Sequence, residues 1–370
     1  MKHTLYLVYP DSAEAGTLET LPETEGLIRM SEGSFLEDYD NLTKPHKICT
    51  TSEATLESIL KRITDEETRR AILSMKDKHL FRALLQEDYP SMAFTEVNFE
   101  DIRTLQISGK KVLKPIKGCF GTAVKIIDEH SDLALVAEEM KSEIGVNSSV
   151  FSESVLSQSE FILEDFIEGE EYAVDMFYDS EGHPHVVNIY YHPLPKHTDY
   201  LHMIYYTNRR IFEMLYDDAI AFFTRLNKKL KVKNIALHSE FKYARHLVPI
   251  EINAMRFGGM GLGNMVYHSL KVNPYERFIN EQSPDWKAIW KAHPESNFVF
   301  FIAYNGTRID KGLQQPDFNR LESAFTKILN KTSFDYKTQL AFGVYTLEES
   351  DANIKRLLEI DFNDYFKAIG

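Results

Sequence analysis

The chain has 370 residues, 43% of them hydrophobic and 26% charged, with a net charge of −14. That length allows two or three lobes around a sizeable core, and the acidic balance argues against a general nucleic-acid binder, which carries a basic patch or stripe. Two cysteines without CxxC spacing, Cys49 and Cys119, exclude a disulfide framework or thiolate zinc site.

The first apolar run, "TLYLVYP" (4–10), reads as a buried strand ending at Pro10. The start of the chain is too polar for a signal peptide and no run approaches 18 apolar residues, so a cytoplasmic protein without a membrane span is expected. Residues 11–34 are polar and glycine-punctuated, with weak order signals. "TSEATLESILKRI" (51–63) is a helix capped by Thr51 or Ser52, with Leu56, Ile59, Leu60 and Ile63 on one face. Two further helical patterns cover 68–75 and 77–90. Strands follow at 110–115 and 122–127, joined by "IKGCFG", then a helix at 131–144. Residues 160–179 read as two strands broken at Glu168–Gly169, and 185–194 as an alternating strand. A long amphipathic helix (209–230) leads to strands 235–243 and 247–253. From about Asn297 the pattern is strand, helix (318–329), strand, helix, a compact α+β tail.

Three stretches carry chemistry. In "VLKPIKGCFGTAV" Lys114 ends an apolar strand, Lys117 follows within a turn, and Gly118 and Gly121 flank a loop. Glycines let backbone N–H groups approach phosphate oxygens and lysine adds a point charge. Such a loop between two strands makes a flap, whereas a Walker loop opens a helix. A plain hairpin with exposed lysines is the alternative. In "ILEDFIEGEEYAVD" a strand leaves the core at Glu164, turns at Gly169 and resumes at Glu171. Backbone groups at Asp165 and Ile167, flanking Phe166, would be free to pair with a purine edge. Glu164 could accept from an exocyclic amine and Glu171 from ribose hydroxyls; the alternative is a bulged surface hairpin.

The third stretch pairs "ALHSEFKY" with "LVPIEINAMRFGG". Residues two apart on a strand share a face, so His238 goes with Glu240, and Glu251 with Asn253. A hairpin across "KYARHL" brings Glu240 and Glu251 to one point. A carboxylate among prolines and isoleucines is costly unless paired or on a metal. Two carboxylates and an amide oxygen are hard ligands for Mg²⁺ or Mn²⁺ and not for zinc. A hairpin neutralised by Arg245, Arg256 or Lys242 is the alternative.

In this order, "MKDKHLFRALL", "VLKPIKGCFGTAVKI", "ILEDFIEGEEYAVD", "HSEFKY" and "PIEINAMRFGG", over about residues 75–260, resemble the ATP-grasp superfamily of carboxylate–amine ligases. The resemblance implies an α/β (α+β) ATP-grasp fold in which two lobes clasp ATP. An N-terminal α/β domain would cover 1–75, a small lobe with the phosphate flap 76–168, a large lobe with the metal site 169–296, and an α+β extension 297–370. It further implies that Lys78 and Lys114 contact the phosphates beneath a flap carrying Lys117, Gly118 and Gly121. Glu164, with the backbone of Asp165, Phe166 and Ile167, would hold adenine, and Glu171 the ribose. Glu240, Glu251 and Asn253 would bind Mg²⁺ (or Mn²⁺), and Arg256 would join Lys78 and Lys114 in steadying the transferring phosphoryl group.

"EYAVD" followed by "EINAMRFGG" looks most like the L-amino-acid ligase branch. The implied reaction is ATP-driven amide formation between a small carboxylate and an amine through an acyl phosphate, releasing ADP and phosphate. Another ATP-grasp synthetase, of carboxylase or nucleotide-pathway type, and a catalytically silent ATP-binding protein are the rival readings. The His- and Tyr-rich segment "YHPLPKHTDYLHMIYY", with His192 and His197, is a candidate lining of the substrate pocket, and an aromatic core segment is its alternative. His238, Gly258 and Gly259 complete the substrate candidates. Expected partners are the two small molecules, with no nucleic acid and no membrane, and a homodimer as the oligomeric option.

Overall fold

The computed structural model describes residues 4–11, 16–118, 121–147, 156–195, 200 and 202–369. The candidate residue His197 and the flap-tip residues Cys119 and Phe120 lie outside the described residues. The first apolar run forms β1 (Thr4–Tyr9), whose Leu5, Tyr6, Leu7 and Val8 are buried between the parallel strands β2 (Leu27–Ser31) and β3 (His46–Thr50). A continuous apolar run suits a strand buried in a parallel sheet. The stretch 11–34, expected to be weakly ordered, holds β2 and the start of helix α1 (Glu32–Asp38). Its order comes from distant partners: β2 pairs with β1, and the Gly33 N–H donates to Asp11.

Helix α2 (Leu56–Arg62) follows a 3₁₀ turn, Glu53–Thr55, in which the Ser52 hydroxyl accepts from the Ala54 N–H. Helices α3 (Glu66–Lys76) and α4 (Lys78–Leu85) share Asp77, which ends one and caps the other by accepting from Leu80 N–H. That break sends Lys76 and Lys78 inward, where both are buried.

Among the described residues a four-stranded sheet has the order β4-β7-β5-β6, from β4 (Phe94–Asn98), β5 (Lys111–Pro115), β6 (Lys125–Ile127) and β7 (Glu160–Asp165). With α5 (Leu133–Asn147) it encloses its own core of Leu113, Ile127, Met140 and Phe161, separate from the main core. The strand expected over 122–127 begins only at Lys125, because Ala123 has φ 55° and its N–H is drawn off to Glu143.

The large sheet takes β8 (Glu170–Tyr178), β9 (Pro184–His192), β10 (Ile204–Thr207), β11 (Ile235–Tyr243), β12 (Leu247–Ala254) and β13 (Asn297–Tyr304). Beyond a two-stranded ribbon formed by β14 (Gln314–Pro316) with the last strand, β15 (Lys327–Ser333) and β16 (Ala341–Glu349) complete it; β17 is Phe366–Ala368. The order is β12-β11-β8-β9-β10-β13-β16-β15, so the C-terminal strands continue the sheet that carries the candidate metal residues. Helix α6 (Arg209–Leu230) covers one face, its Phe222 and Phe223 packing edge-on against Phe241 of β11. The opposite face is left for the site.

The chain crosses from the small sheet to the large one between β7 and β8. Gly169 there has φ 126°, and a Cβ would sit 2.6 Å from the Tyr243 carbonyl oxygen, so the crossing requires glycine. One expected helix, 318–329, is corrected: the helix ends at Glu322 and 327–333 is strand β15. The Thr326 N–H and hydroxyl both donate to Glu349, which turns the chain onto the edge of β16, and that long-range pairing overrides local helical spacing. Among the described residues no helix is long and apolar enough to cross a membrane.

Candidate active site

A cavity of about 490 Å³ lies between the two sheets, and the free face of the large sheet forms one wall of it. Cross-strand register explains why acids from distant parts of the sequence gather there. Glu240 on β11 faces Glu251 on β12; Lys242 faces Glu171, which faces His192; Asn253 faces His238, which faces Asp175. These residues alternate by two along each strand and so share one face. The opposite wall comes from the small sheet and its crossing segment, through Val112, Lys114 and Glu164–Ile167. The end of the cavity is closed by Thr51–Glu53, from the turn after β3, and by the glycine-rich turn after β12. The Thr50 N–H to Met255 C=O bond, 2.7 Å, ties these two ends together.

On the small-lobe wall Glu164 is enclosed by cations. Arg82 of α4 donates to both its oxygens (2.7 and 3.3 Å) and Lys114 lies 2.5 Å away. Burial would raise the Glu164 carboxyl, but Lys114 and Arg82 outweigh it and hold it down at about 2. Burial, with Arg82 and Lys78 nearby, leaves the Lys114 ammonium below its usual range despite Glu164. On the large-lobe wall Lys78 lies 3.1 Å from Glu251, and the Asn253 amide nitrogen donates to Glu251 at 3.1 Å. Burial opposes ionisation of Glu251, yet Lys78 above all, with Lys76 and Asn253, keeps its carboxyl well below the ordinary range. Since Asn253 donates through nitrogen, its oxygen is the atom left for a cation.

Glu171 is held between the His192 ring (2.6 Å) and Lys242 (3.1 Å). Burial would raise its carboxyl, and those two groups bring it to about 2. His238 pairs with the fully buried Asp175 at 2.8 Å. Burial works against charge on His238, but Asp175 prevails and its pKa rises to about 9, so the ring is an imidazolium at neutral pH. Asp175 also accepts from the Gly258 N–H (2.9 Å) and the Tyr190 hydroxyl (2.8 Å), pinning the glycine turn to the sheet.

Most of the candidate residues meet in this cavity: Lys78, Lys114, Gly118, Gly121, Glu164, Asp165, Phe166, Ile167, Glu171, His192, His238, Glu240, Glu251, Asn253, Arg256 and Gly259 all line it. Lys117 and Gly258 do not. Gly258 packs behind the wall, where a Cβ would meet the Leu262 side chain at 2.8 Å. Glu240, Glu251 and Asn253 offer oxygen donors only; Lys78 offsets Glu251, and the His238 ring, 3.7 Å from Glu240, is shared with Asp175, which leaves an excess of negative charge suited to a hard divalent cation. Among the described residues no three His, Cys, Asp or Glu side chains form a metal-holding group.

Glu53, Arg82 and Asp175 are charged residues of the site that escaped sequence reasoning. Glu53 is buried, pairs with Lys76, and accepts from Arg256 at 2.9 Å; Lys76 in turn donates to the Gly118 carbonyl at 3.0 Å. Glu53 therefore bridges the flap stem to Arg256. In sequence it is merely an acid after a helix cap, where acids are common. Arg82 and Asp175 did carry a signal: each is a charge inside an apolar run, "HLFRALL" and "YAVDMF".

Residues 107–264 match the ATP-grasp domain family. The fold is similar to the L-amino acid ligase of Bacillus licheniformis over 100% of this chain and 99% of that one, at 14% identity and a TM-score of 0.67. N5-carboxyaminoimidazole ribonucleotide synthetase from Thermotoga maritima is similar over 100% of both chains, at 15% identity and a TM-score of 0.62. Biotin carboxylase from Campylobacter jejuni is similar over 100% of this chain and 92% of that one, at 12% identity and 0.60. No curated protein matches the sequence. Residues 107–264 thus carry an ATP-grasp domain match, and the chain as a whole has the fold of these ligases and synthetases. The similarity to the L-amino acid ligase runs the whole length of the chain, N-terminal sheet and C-terminal strands included.

Proposed function

We propose that this ATP-grasp enzyme is an ATP-dependent ligase joining a small carboxylate, an amino acid in the first instance, to an amine through an acyl phosphate, with release of ADP and phosphate. One observation carries the reading. A single sheet face presents Glu240, Glu251 and Asn253 to a cavity that also receives Lys78, Lys114 and Arg256, with the Glu164–Ile167 crossing along its rim. The full-length likeness to an L-amino acid ligase supports the same branch.

The first chemical step sets a carboxylate against a polyphosphate, so charge neutralisation and positioning are the main terms. Lys78 and Lys114 would meet phosphate oxygens, and Arg256, held by Glu53, would face the transferring group through its remaining N–H donors. Glu240, Glu251 and Asn253 would hold Mg²⁺, which supplies further neutralisation of the phosphates. The flap stem between β5 and β6 would cover the acyl phosphate from water. ADP release measured across a panel of amino acids with MgATP tests the reading. ATP binding without turnover on any of them would overturn it in favour of a silent ATP-binding protein.

A further inference from the structure

The cavity extends well past the acidic residues, and its character changes along the sheet. After His192 the same face continues onto β10 and β13, where Tyr205 faces Phe300. The His192 ring stacks on Tyr205, 4.1 Å between centroids and 7° from parallel. Phe300, Ile302 and Tyr304 alternate by two along β13, share that face and line the cavity. At about 4.8 Å per strand, β13 lies roughly 19 Å from the Glu240 strand. The residues available for phosphates and metal are therefore at one end and an apolar wall at the other.

The glycine-rich turn bridges the two ends. It leaves β12 at Arg256, is pinned to β8 through Gly258 and Asp175, and reaches β9, where the Tyr190 hydroxyl donates to the Leu262 carbonyl at 3.2 Å. Gly259, Met260 and Leu262 line the cavity along this path. From Leu262 over β9 to the β13 wall is two strands, about 10 Å. No charged side chain stands among the cavity-lining residues of β10 and β13.

One polar atom there lacks a partner. His202 Nδ1 is bonded to the Tyr205 hydroxyl (3.1 Å), whereas its Nε2 is buried without any hydrogen bond. That ring also lies below the flap, 3.7 Å from where a Cβ on Gly121 would be. A buried orphan nitrogen is costly, and in a cavity wall it points to a ligand group that completes it.

We propose that the β10–β13 end of the cavity seats the side chain of the amino-acid substrate and selects an uncharged, apolar side chain of aromatic or branched size. Phe300, Ile302 and Tyr304 form its walls, and His202 Nε2 makes its polar contact with the substrate. The proposal rests on the ligase reading above. The physical basis is that a charged side chain would lose its hydration against Phe300 and Ile302 with no counter-charge to replace it.

The test uses the full chain with Mg²⁺ and a non-hydrolysable ATP analogue, and reads thermal shift and calorimetric affinity for phenylalanine, leucine, methionine, glutamate and lysine. In parallel, ADP release is measured with MgATP. Phenylalanine, leucine and methionine should bind at least about 10-fold more tightly than glutamate or lysine, the discrimination expected of an apolar pocket. Ile302→Asp should abolish that preference, and Phe300→Leu, a milder change that keeps the core filled, should raise KM for phenylalanine more than it lowers kcat. His202→Gln should weaken every amino acid while nucleotide affinity stays constant. Tighter binding of glutamate or lysine, no binding by any of the five, or an unchanged preference in Phe300→Leu and Ile302→Asp would each overturn the proposal. Apolar ligands that bind without ADP release would leave this wall standing and remove the ligase reading. ADP release best with glutamate or lysine would do the reverse.

Discussion

Glu164, buried, and Glu251, partly buried, are carboxylates on opposite walls of one cavity, each beside a lysine, and they differ in what their neighbours leave unbalanced. Glu164 faces two cations, Arg82 and Lys114. Glu251 has Lys78 against it but also confronts Glu240 across the β11–β12 pair. The small-lobe wall thus carries a surplus of positive charge and the large-lobe wall a surplus of negative charge. A polyphosphate with a divalent cation complements both walls at once; a metal-free anion would complement only one. Paired acids are ordinary in proteins, and the informative quantity is the sign left over after pairing.

The largest effect that tests this contrast is expected at Glu251. Glu251→Gln keeps an acceptor for Lys78 and Asn253 while removing the charge, so unfolding should change little. ADP release should fall about 100- to 1000-fold, the order of losing one preorganised electrostatic contact. Rates near those of the wild type would show that the surplus charge serves no cation.

Glu164→Gln should act in the opposite way. It leaves Arg82 and Lys114 buried without their counter-charge, and breaking a buried cluster by removing one partner costs about 3–5 kcal/mol. The effect should appear first in chemical denaturation, with the folded remainder retaining catalytic residues. The pH dependence sharpens the point. Folding lowers the Glu164 carboxyl from its ordinary 4.5 to about 2 through Lys114 and Arg82, against the cost of burial. Its contribution is complete above about pH 4.5 and is lost as pH falls toward 2. Wild-type protein should lose stability across that interval more steeply than Glu164→Gln; parallel curves would mean the cluster is not ionised as described.

The contrast also explains what could be read from sequence. The strands bearing Glu240 and Glu251 were legible because an alternating pattern and a short connection dictate a hairpin, and the hairpin fixes which side chains oppose. The partners of Glu164 were not legible, since Arg82 reaches it from a helix more than eighty residues earlier. Glu53 was hidden for the same reason: its two partners come from α3 and from the end of β12. The tail misread as a helix at 318–329 belongs here too, because β15 exists only by pairing with β16. Local periodicity specifies an element's face, while charge compensation and edge strands are set by contacts between distant segments.

A smaller effect is expected where the two walls are joined. Glu53→Gln frees Arg256 from its charged partner and weakens the tie from Lys76 to the flap stem, while leaving the Lys78 and Lys114 ion pairs in place. Loss of a hydrogen bond to a charged group is worth about 1.5–3 kcal/mol. Turnover at saturating ATP should accordingly drop about 10- to 100-fold while KM for ATP stays close to that of the wild type. A shift in KM alone would place Glu53 in nucleotide binding and remove its role in positioning Arg256.

The smallest effect isolates burial from contact distance. Lys61 and Glu57 on α2 approach to 2.9 Å, closer than the 3.1 Å between Lys78 and Glu251, yet their side chains are 63% and 41% exposed against 8% and 20%. Water already solvates both partners of the surface pair, so Lys61→Ala should change unfolding free energy by less than about 0.5 kcal/mol, and raising the salt concentration should erase even that. Lys78→Ala strands Glu251 beside Glu240 in a partly buried site, and its cost should be several times larger in both stability and turnover. Equal losses from the two alanine variants would mean that proximity alone sets the strength of these pairs, and the surplus charge assigned to the large-lobe wall would then have no energetic basis.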